Sequence, residues 1–314
     1  MRSWPIGLVV LVLLISCNQG KEKENADESI PPEEIAVPER IDDFIPQQDK
    51  YIRIAEDVRI KDYFTFMDNL IHSIDTFREY TIDEYLLVYA NRWLLDTLMN
   101  SDYYQQKARG NFIYNQPDYV VLRAGDSLLM PDSSMAVAWQ NLQDGMVLDV
   151  NIPEFRLRLI SGTDTLLSCP VRVGQNKKKF LKLVNRNVDL RTPVGNGEII
   201  RIVRIPYHVD PETGKRYDST KRDDNRYTKM PIIPWLEPSI NNIRYGTLIH
   251  PTTNPRTLGR AYSNGCIGTT EADGWFIYYY VPVGTPVRFR YDLIVCGERG
   301  DSVRLRDIYK LYNP

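Results

Sequence analysis

Histidine is scarce in this chain of 314 residues: only His72, His208 and His250 are present, beside four cysteines. Because no Cys/His group has metal-ligand spacing, we expect no metal site, and we expect no cofactor. The formal net charge is only −2 and the basic residues are scattered, which argues against nucleic-acid binding. Long apolar runs are also missing, since the run from Ile6 to Ile15 is too short to span a bilayer.

That short run has the form of a signal sequence. Arg2 precedes it, and Leu14-Ile15-Ser16-Cys17 at its end resembles the bacterial lipobox. We therefore predict a lipoprotein signal over residues 1–17, a lipidated Cys17 and an extracytoplasmic protein anchored to a membrane, with the periplasmic face favoured. Each acyl methylene that enters the membrane contributes about 0.8 kcal/mol. An ordinary secretory signal, cut a few residues later, is the alternative.

Two different segments follow the signal. Residues 18–47 are rich in charged residues and proline, so they have too little apolar surface to order and are predicted to be a flexible tether. Residues 48–118 are predicted to form a small helical region, because apolar residues recur near a 3.6-residue period from Ile60 to Tyr80 and again from Trp93 to Met99. Thr81-Ile-Asp-Glu84 has the form of a capping box. The role of this region is open: spacer, glycan-binding module or docking surface.

Short strands with frequent glycine and proline dominate the rest of the chain. We predict a strand and helix connector over 119–145, a mainly-β domain over 146–292 and a C-terminal extension over 293–314. Apolar and basic residues alternate from Phe155 to Leu159, as in a strand with one face in solvent. The expected fold class is α+β, with a β-sandwich or barrel-like domain preceded by the small helical region.

A charged segment from Tyr207 to Met230 interrupts the strands. A segment of this kind beside a candidate site is either a disordered loop or a lid over the cleft, and both readings remain open. His208, at its start, is expected to be non-catalytic, although a substrate contact is possible. His72 is expected to be structural or exposed.

The segment from Leu248 to Gly268 carries the most chemistry, since it contains both His250 and Cys266 among turn-forming residues. A thiol is a good nucleophile only as the thiolate, and a nearby imidazole is the usual device for producing one. Gly265 permits close approach of the backbone, and a helix predicted near Glu271 is expected to point its positive end at the thiolate. The segment predicts a cysteine acyl-transfer site.

The order of these features resembles the L,D-transpeptidase (YkuD-type) catalytic domain. The strand around Val150–Leu157, the turn Thr192-Pro193-Val194-Gly195, and His250 followed by Ser263-Asn264-Gly265-Cys266 carry the resemblance. It extends from roughly Met146 to Tyr291, and with the lipobox it indicates a bacterial lipoprotein member of the family.

The resemblance implies roles for individual residues. Cys266 is expected to be the nucleophile, His250 the general base and then acid, and Gly265 part of a backbone oxyanion hole together with Cys266. The candidate substrate-binding residues are Ser263, Asn264, Arg260 and Tyr245. A purely structural role in the turn is the alternative for Ser263 and Arg260.

The chain departs from the family pattern at two important positions. Asn264 stands where many members have histidine, and Gly268 stands where the family commonly has arginine. Because a guanidinium binds a carboxylate in a bidentate manner, its loss is expected to weaken carboxylate recognition. Pro251, in place of a frequent glycine, is a smaller difference.

The implied reaction is acyl transfer on peptidoglycan tetrapeptide stems. A thioester forms at Cys266, D-alanine leaves, and an acceptor amine completes a 3→3 cross-link. Hydrolysis of the same thioester, as in a carboxypeptidase, is one alternative, and a non-catalytic peptidoglycan-binding lipoprotein is another. The expected partners are stem peptides and the membrane. For Cys169 and Cys296, buried free thiols are favoured over a disulfide.

Overall fold

The computed structural model describes residues 50–74, 80–297 and 300–312. The predicted signal, Cys17 and the tether lie outside these residues. None of the helices in the described part is long and apolar enough to cross a membrane. The α-helices are α1 Ile60–Ile74, α2 Glu84–Ala90, α3 Arg92–Met99, α4 Tyr103–Ala108, α5 Ser133–Asp144 and α6 Glu271–Tyr280.

Short strands make up most of the regular structure. Those up to the charged segment are β1 Tyr51–Arg53, β2 Val58–Arg59, β3 Val120–Leu122, β4 Ser127–Leu129, β5 Met146–Asn151, β6 Arg156–Ser161, β7 Asp164–Pro170, β8 Val173–Gly174, β9 Lys178–Leu181, β10 Arg186–Asp189 and β11 Gly195–Val203. Those that follow are β12 His208–Val209, β13 Arg216–Tyr217, β14 Ser219–Lys221, β15 Tyr227–Lys229, β16 Trp235–Ile240, β17 Ile249–Pro251, β18 Ala261–Ser263, β19 Ile267–Thr269, β20 Pro286–Arg290, β21 Ile294–Cys296 and β22 Ser302–Arg304.

One eight-stranded sheet organises the molecule, in the order β19-β17-β16-β11-β20-β5-β6-β7. The pairs β20–β5 and β17–β19 are parallel and the other neighbours are antiparallel. Just beyond β7, Arg172 forms a bridge with Gly268 in β19, at the opposite edge. The sheet is therefore nearly closed, and the fold is α+β and mainly β, as the sequence predicts.

Alternation along the strands places the core on one face of the sheet. Leu148 and Val150 in β5, and Leu157 and Leu159 in β6, are fully buried, while Arg158 between the last two is partly exposed. Phe155 has a φ of 54°, in the left-handed region. Strand β6 therefore begins at Arg156, because this backbone conformation is incompatible with an extended strand.

The helical region packs directly on the sheet-bearing part through α1 and α6. Tyr63 and Phe64 on α1 contact Trp275 on α6, with ring centroids 6.5 and 6.1 Å apart. The hydroxyls of Tyr63 and Tyr279 lie 2.6 Å apart in the buried interface. Buried side chains from both parts belong to a single apolar cluster.

Local details differ from the sequence-based expectations at two places. Helix α2 is capped by Asp83 and not by Thr81, because the Asp83 carboxylate accepts a hydrogen bond from the Leu86 N–H at 2.8 Å. Cys169 and Cys296 are both free, but Cys296 is exposed, contrary to the expected burial. It lies in the β21–β22 hairpin, outside the eight-stranded sheet.

Candidate active site

Two parallel strands bring His250 and Cys266 together. In the β17–β19 pair, Ile249 lies opposite Ile267 and His250 lies opposite Gly268. Cys266 immediately precedes β19, two residues before Gly268. Because side chains alternate between the faces of a strand, the thiol and the imidazole point to the same face. The pairing thus places the candidate nucleophile and base side by side.

The imidazole of His250 is oriented by its own strand. Its Nδ1 lies 2.9 Å from the carbonyl oxygen of Pro251. A carbonyl only accepts, so Nδ1 carries the proton and Nε2 remains a free acceptor. Burial, and after it the positive charge of Arg172, lower the pKa of His250 to about 3. The ring is therefore neutral near pH 7 and is suited to accept a proton.

The thiol of Cys266 is protonated in the resting arrangement. Burial raises its pKa, while a backbone hydrogen bond at Leu248 and the charge of Arg172 act in the opposite direction. Because burial disfavours the thiolate, the nucleophile needs both a base and a nearby positive charge. His250 can serve as the base, and Arg172 is the cation that faces the sulfur.

A network of side-chain hydrogen bonds shapes the turn that carries Cys266. Gly265 has a φ of 113°, a conformation that residues with a side chain rarely adopt. The Ser263 hydroxyl donates to the Cys266 carbonyl at 2.6 Å and accepts from the Gly265 N–H at 3.2 Å. Thr192 Oγ1 donates to the Gly265 carbonyl at 3.0 Å. Ser263 therefore contributes to the turn, and the Gly265 N–H is engaged within it.

Tyr309 of the C-terminal extension supports this turn through hydrogen bonds to Gly174 and Thr192. The Tyr309 hydroxyl donates to the Gly174 carbonyl at 2.8 Å and accepts from the Thr192 N–H at 3.1 Å. Thr192 Oγ1 accepts from the Gly174 N–H at 2.9 Å while it donates to Gly265. Thr192 belongs to the Thr-Pro-Val-Gly motif seen in the sequence, but no sequence signal indicated the contribution of Tyr309.

Arg172 is a site residue that the sequence did not indicate. It lies between β7 and β8, and its backbone exchanges two hydrogen bonds with Gly268, at 3.0 and 2.9 Å. Its Nε is buried and has no hydrogen-bond partner among the described residues. The guanidinium acts on the pKa values of both Cys266 and His250, so a positive charge adjoins the thiol–imidazole pair.

The charged segment is ordered and forms two hairpins beside the site. The first pairs β12 with β13 and the second pairs β14 with β15. The rings of His208 and His250 flank Trp235, with centroids 5.0 and 5.3 Å from the indole. His208 and Tyr217 also line a cavity of about 520 Å³, which Asn115 of the helical region bounds on another side. Of the two alternatives for the charged segment, the structure favours an ordered lid over a disordered loop.

Contacts with the helical region hold the second hairpin in place. Arg222 forms a fully buried ion pair with Glu271 at the start of α6. Its guanidinium carbon lies 4.4 Å from the centre of the Tyr103 ring, and the Tyr103 hydroxyl donates to Asp224 at 2.9 Å. The Tyr104 hydroxyl donates to Asp223 at 2.7 Å. Helix α4 thus fixes the position of the hairpin relative to the site.

The first N–H groups of α6, which the sequence suggested would act on the thiol, bind side chains of the protein. The Ala272 N–H donates to Asp102 at 3.0 Å, and the Asp273 N–H donates to the Thr270 hydroxyl at 3.0 Å. Strand β19 lies between Cys266 and the helix. These contacts satisfy N–H groups that would otherwise favour an anion, so the helix end is occupied by its own caps.

The other candidate residues are partly or fully exposed to solvent. Tyr245 is 52% exposed, and Arg260 is also exposed. Asn264 is partly exposed within the turn, next to the buried Gly265. His72 lies on the exposed face of α1. No group of three or more His, Cys, Asp or Glu side chains in the described ranges could hold a metal ion.

Residues 145–289 match the family model YkuD, the L,D-transpeptidase catalytic domain. No curated protein sequence matches significantly.

Solved structures of L,D-transpeptidases show a distant likeness. A domain from Xylanimonas cellulosilytica is 14% identical, covering 78% of this chain and 100% of that one, with a TM-score of 0.34. The E. faecium catalytic domain is 16% identical, covering 46% and 96%, with a TM-score of 0.31. The Mycobacterium smegmatis protein is 15% identical, covering 46% and 58%, with a TM-score of 0.31.

The chain therefore spans less than two thirds of the mycobacterial protein. These TM-scores are low, so the assignment depends on the match over residues 145–289 and on the motifs within it. Residues 145–289 of this chain match the L,D-transpeptidase (YkuD) catalytic domain.

Proposed function

We propose that this protein is a cysteine L,D-transpeptidase that acts on peptidoglycan tetrapeptide stems. The observation that supports this most directly is the β17–β19 pairing, which sets a half-buried thiol beside a neutral imidazole with a free Nε2. A protonated thiol and a neutral base are the two groups from which a thiolate forms at the moment of attack.

The first half-reaction forms a thioester. His250 Nε2 takes the thiol proton, and Cys266 Sγ attacks the carbonyl that joins the third stem residue to D-alanine. The negative oxygen that develops is met by the Cys266 N–H, since the Gly265 N–H is engaged by Ser263 in the resting turn. When the intermediate collapses, the C–N bond breaks and the amine of D-alanine leaves with the proton held by His250.

The second half-reaction resolves the thioester. An amine from a neighbouring stem attacks the acyl carbon, His250 takes the amine proton, and Cys266 leaves as the thiol. The product is a 3→3 cross-link. The hairpin that carries His208 packs against Trp235, which also contacts His250, so it forms a wall near the site. A wall that limits the access of water to the thioester favours an amine acceptor over hydrolysis.

Mass spectrometry of the intact protein tests the proposal. The full chain in detergent is incubated with a tetrapeptide stem, and we expect an added mass of the tripeptide acyl group together with released D-alanine. Cys266→Ala should show neither, whereas Cys296→Ala, which removes an exposed thiol away from the site, should behave as the wild type. Absence of both adduct and D-alanine, with retained binding to sacculi, would mean that the protein is a non-catalytic binding lipoprotein.

The products separate cross-linking from hydrolysis. With an acceptor stem present, a 3→3 dimer is expected as the main product. Free tripeptide as the main product would instead identify a carboxypeptidase.

We further propose that the protein is anchored at the periplasmic face of a membrane through Cys17. The support is the Leu14-Ile15-Ser16-Cys17 sequence behind a short apolar run. Expression in a bacterium fed labelled palmitate should label the wild type and leave Cys17→Ser unlabelled. Release of the wild type into the soluble periplasmic fraction would indicate an ordinary secretory signal.

A further inference from the structure

The position of Arg172 is determined by backbone pairing. Its N–H donates to the Gly268 carbonyl at 3.0 Å, and the Gly268 N–H donates to its carbonyl at 2.9 Å. Gly268 is paired on its other side with His250. The three residues therefore form one row across adjacent strands, and their side-chain directions share a face. Cys266, two residues before Gly268, points to the same face.

Gly268 leaves the space that Arg172 occupies. A Cβ added at Gly268 would lie 2.5 Å from Arg172 Nε and 2.6 Å from Arg172 Cγ. Gly268 does not have a positive φ, so its backbone conformation does not require glycine. The reason for glycine here is steric, because the Arg172 side chain runs across the position where another side chain would begin.

The surroundings of Arg172 lack a permanent negative charge. The acidic groups that act on it most are the Cys266 thiol and the phenols of Tyr217 and Tyr262, and no carboxylate is among them. A guanidinium of a half-buried arginine whose buried Nε has no partner is stabilised when an anion forms nearby. Of these three groups, the thiol is the one that the reaction converts into an anion.

We propose that Arg172 is the cation that stabilises the Cys266 thiolate, and that Gly268 is present to admit it. This inference rests on the proposed role of Cys266 as the nucleophile. The guanidinium that the family commonly places two residues after the cysteine is thus supplied from a different strand. Arg172 adds a permanent positive charge to that of the imidazolium that His250 becomes when it takes the thiol proton.

The groups that face the thiol are few. Arg172 acts on it through its charge, and Leu248 acts on it through a backbone hydrogen bond. Tyr217 and Tyr262 face Arg172, and His208 faces His250. Since both imidazoles have a lowered pKa, at about 3 for His250 and about 4 for His208, neither changes its charge over the range from pH 6 to 10 in which the thiol is assayed.

Alkylation by neutral iodoacetamide tests the inference without any stem peptide. The full chain carrying Cys296→Ser is alkylated across pH 6 to 10, and modification of Cys266 is followed by peptide mass. Arg172→Gln is expected to move the midpoint of the profile up by about one pH unit and to slow the reaction at pH 7 by about tenfold. Arg186→Gln, which removes an exposed arginine on β10, should leave the profile unchanged.

A swap of the two positions provides the sharper comparison. Gly268→Ala keeps the arginine but displaces it, and should slow alkylation even if Arg172→Gln fails to fold. Arg172→Ala removes the Cγ and Cδ atoms that a side chain at position 268 would meet. Arg172→Ala combined with Gly268→Arg should therefore alkylate faster than Arg172→Ala alone, so the two changes are not additive. An unchanged profile in folded Arg172→Gln, or in Gly268→Ala, overturns the inference.

The same variants distinguish stabilisation of the thiolate from binding of the substrate carboxylate, and they distinguish both from the proposed function. If Arg172→Gln leaves alkylation unchanged but raises KM for the tetrapeptide and not for its C-terminal amide, Arg172 binds the substrate carboxylate and the inference is overturned. If alkylation shifts as expected while no stem is ever transferred, the inference stands and the proposed function fails.

Discussion

Ser263 illustrates how single side chains prepare the site. Its hydroxyl joins the two ends of the turn by binding the Cys266 carbonyl and the Gly265 N–H. The sequence suggested either a substrate contact or a structural role, and the hydrogen bonds favour the structural one. The hydroxyl acts through the backbone on the direction of the thiol.

Ser263→Ala is therefore expected to reduce kcat by about tenfold or more with little change in KM, because a small displacement of the reacting atoms is costly. Stability should fall by only about 1 kcal/mol, the net value of one hydrogen bond. Stem kinetics and thermal unfolding measure the two effects. Ser127→Ala, at an exposed serine on β4, serves as the control. A large rise in KM with kcat unchanged would indicate a substrate contact instead.

At the residue scale, the sequence predicted the thiol and the base but not their electrostatic partner. His250 and Cys266 share one segment with recognisable spacing and motif residues. Arg172 lies far away in the chain and reaches the site only because a bridge pairs it with Gly268. Because position 268 is glycine, the sequence predicts that a guanidinium is missing there. In the folded chain the side chain of Arg172 occupies the space beside Gly268, so a guanidinium is present near the site.

Helix α4 of the helical region contacts the second hairpin beside the site. Arg222 and Glu271 are each only 1% exposed and bind one another directly. Burial raises the pKa of Glu271, and the charge of Arg222 opposes that effect. The pair joins the hairpin to the start of α6, which follows β19, the strand that begins directly after Cys266.

Arg222→Met should destabilise the protein by about 3–5 kcal/mol, because it leaves the Glu271 carboxylate buried without its cation. The double variant Arg222→Met/Glu271→Gln should recover much of that loss. Denaturant unfolding measures both. Lys229→Met breaks an exposed ion pair with Asp218 on the same hairpin and should change stability little. Equal effects of Arg222→Met and Lys229→Met would contradict this account.

Strands and helices were predicted correctly where neighbouring residues determine them. The prediction failed where contacts between residues distant in the chain determine the structure. The strands from β5 to β7 and helix α3 follow the alternation and periodicity of their residues. The composition of the charged segment did not show whether it is an ordered lid or a disordered loop. Its second hairpin is held by Tyr103, Tyr104 and Glu271, none of which lies in the segment.

At the scale of the whole molecule, the described residues share one apolar core that crosses the predicted domain boundaries. Side chains of α1, α2 and α3 are buried together with those of α6 and the sheet. The Tyr63–Tyr279 hydroxyl contact and the packing of Trp275 on Phe64 lie within that core. The helical region is therefore part of the folded unit, which argues against a simple spacer.

Removal of residues 48–118 is expected to expose Trp275 and the adjacent tyrosines of α6, so the remaining chain should be insoluble or should lose cooperative unfolding. Gel filtration and thermal unfolding measure this. Removal of residues 18–47, the predicted tether, should leave the unfolding transition unchanged. A fragment of residues 119–314 that unfolds cooperatively and retains acyl transfer would show that the helical region is dispensable.

The sequence by itself determined the thiol, the imidazole, the glycine-containing turn and the mainly-β character, because each depends on the chemistry of neighbouring residues. Tertiary structure alone decided the rest. It brought Arg172 over Gly268, set Tyr309 beneath Thr192, and ordered the hairpins against α4. These contacts join residues that are distant in the chain, and their energies depend on burial and proximity, which exist only in the folded state.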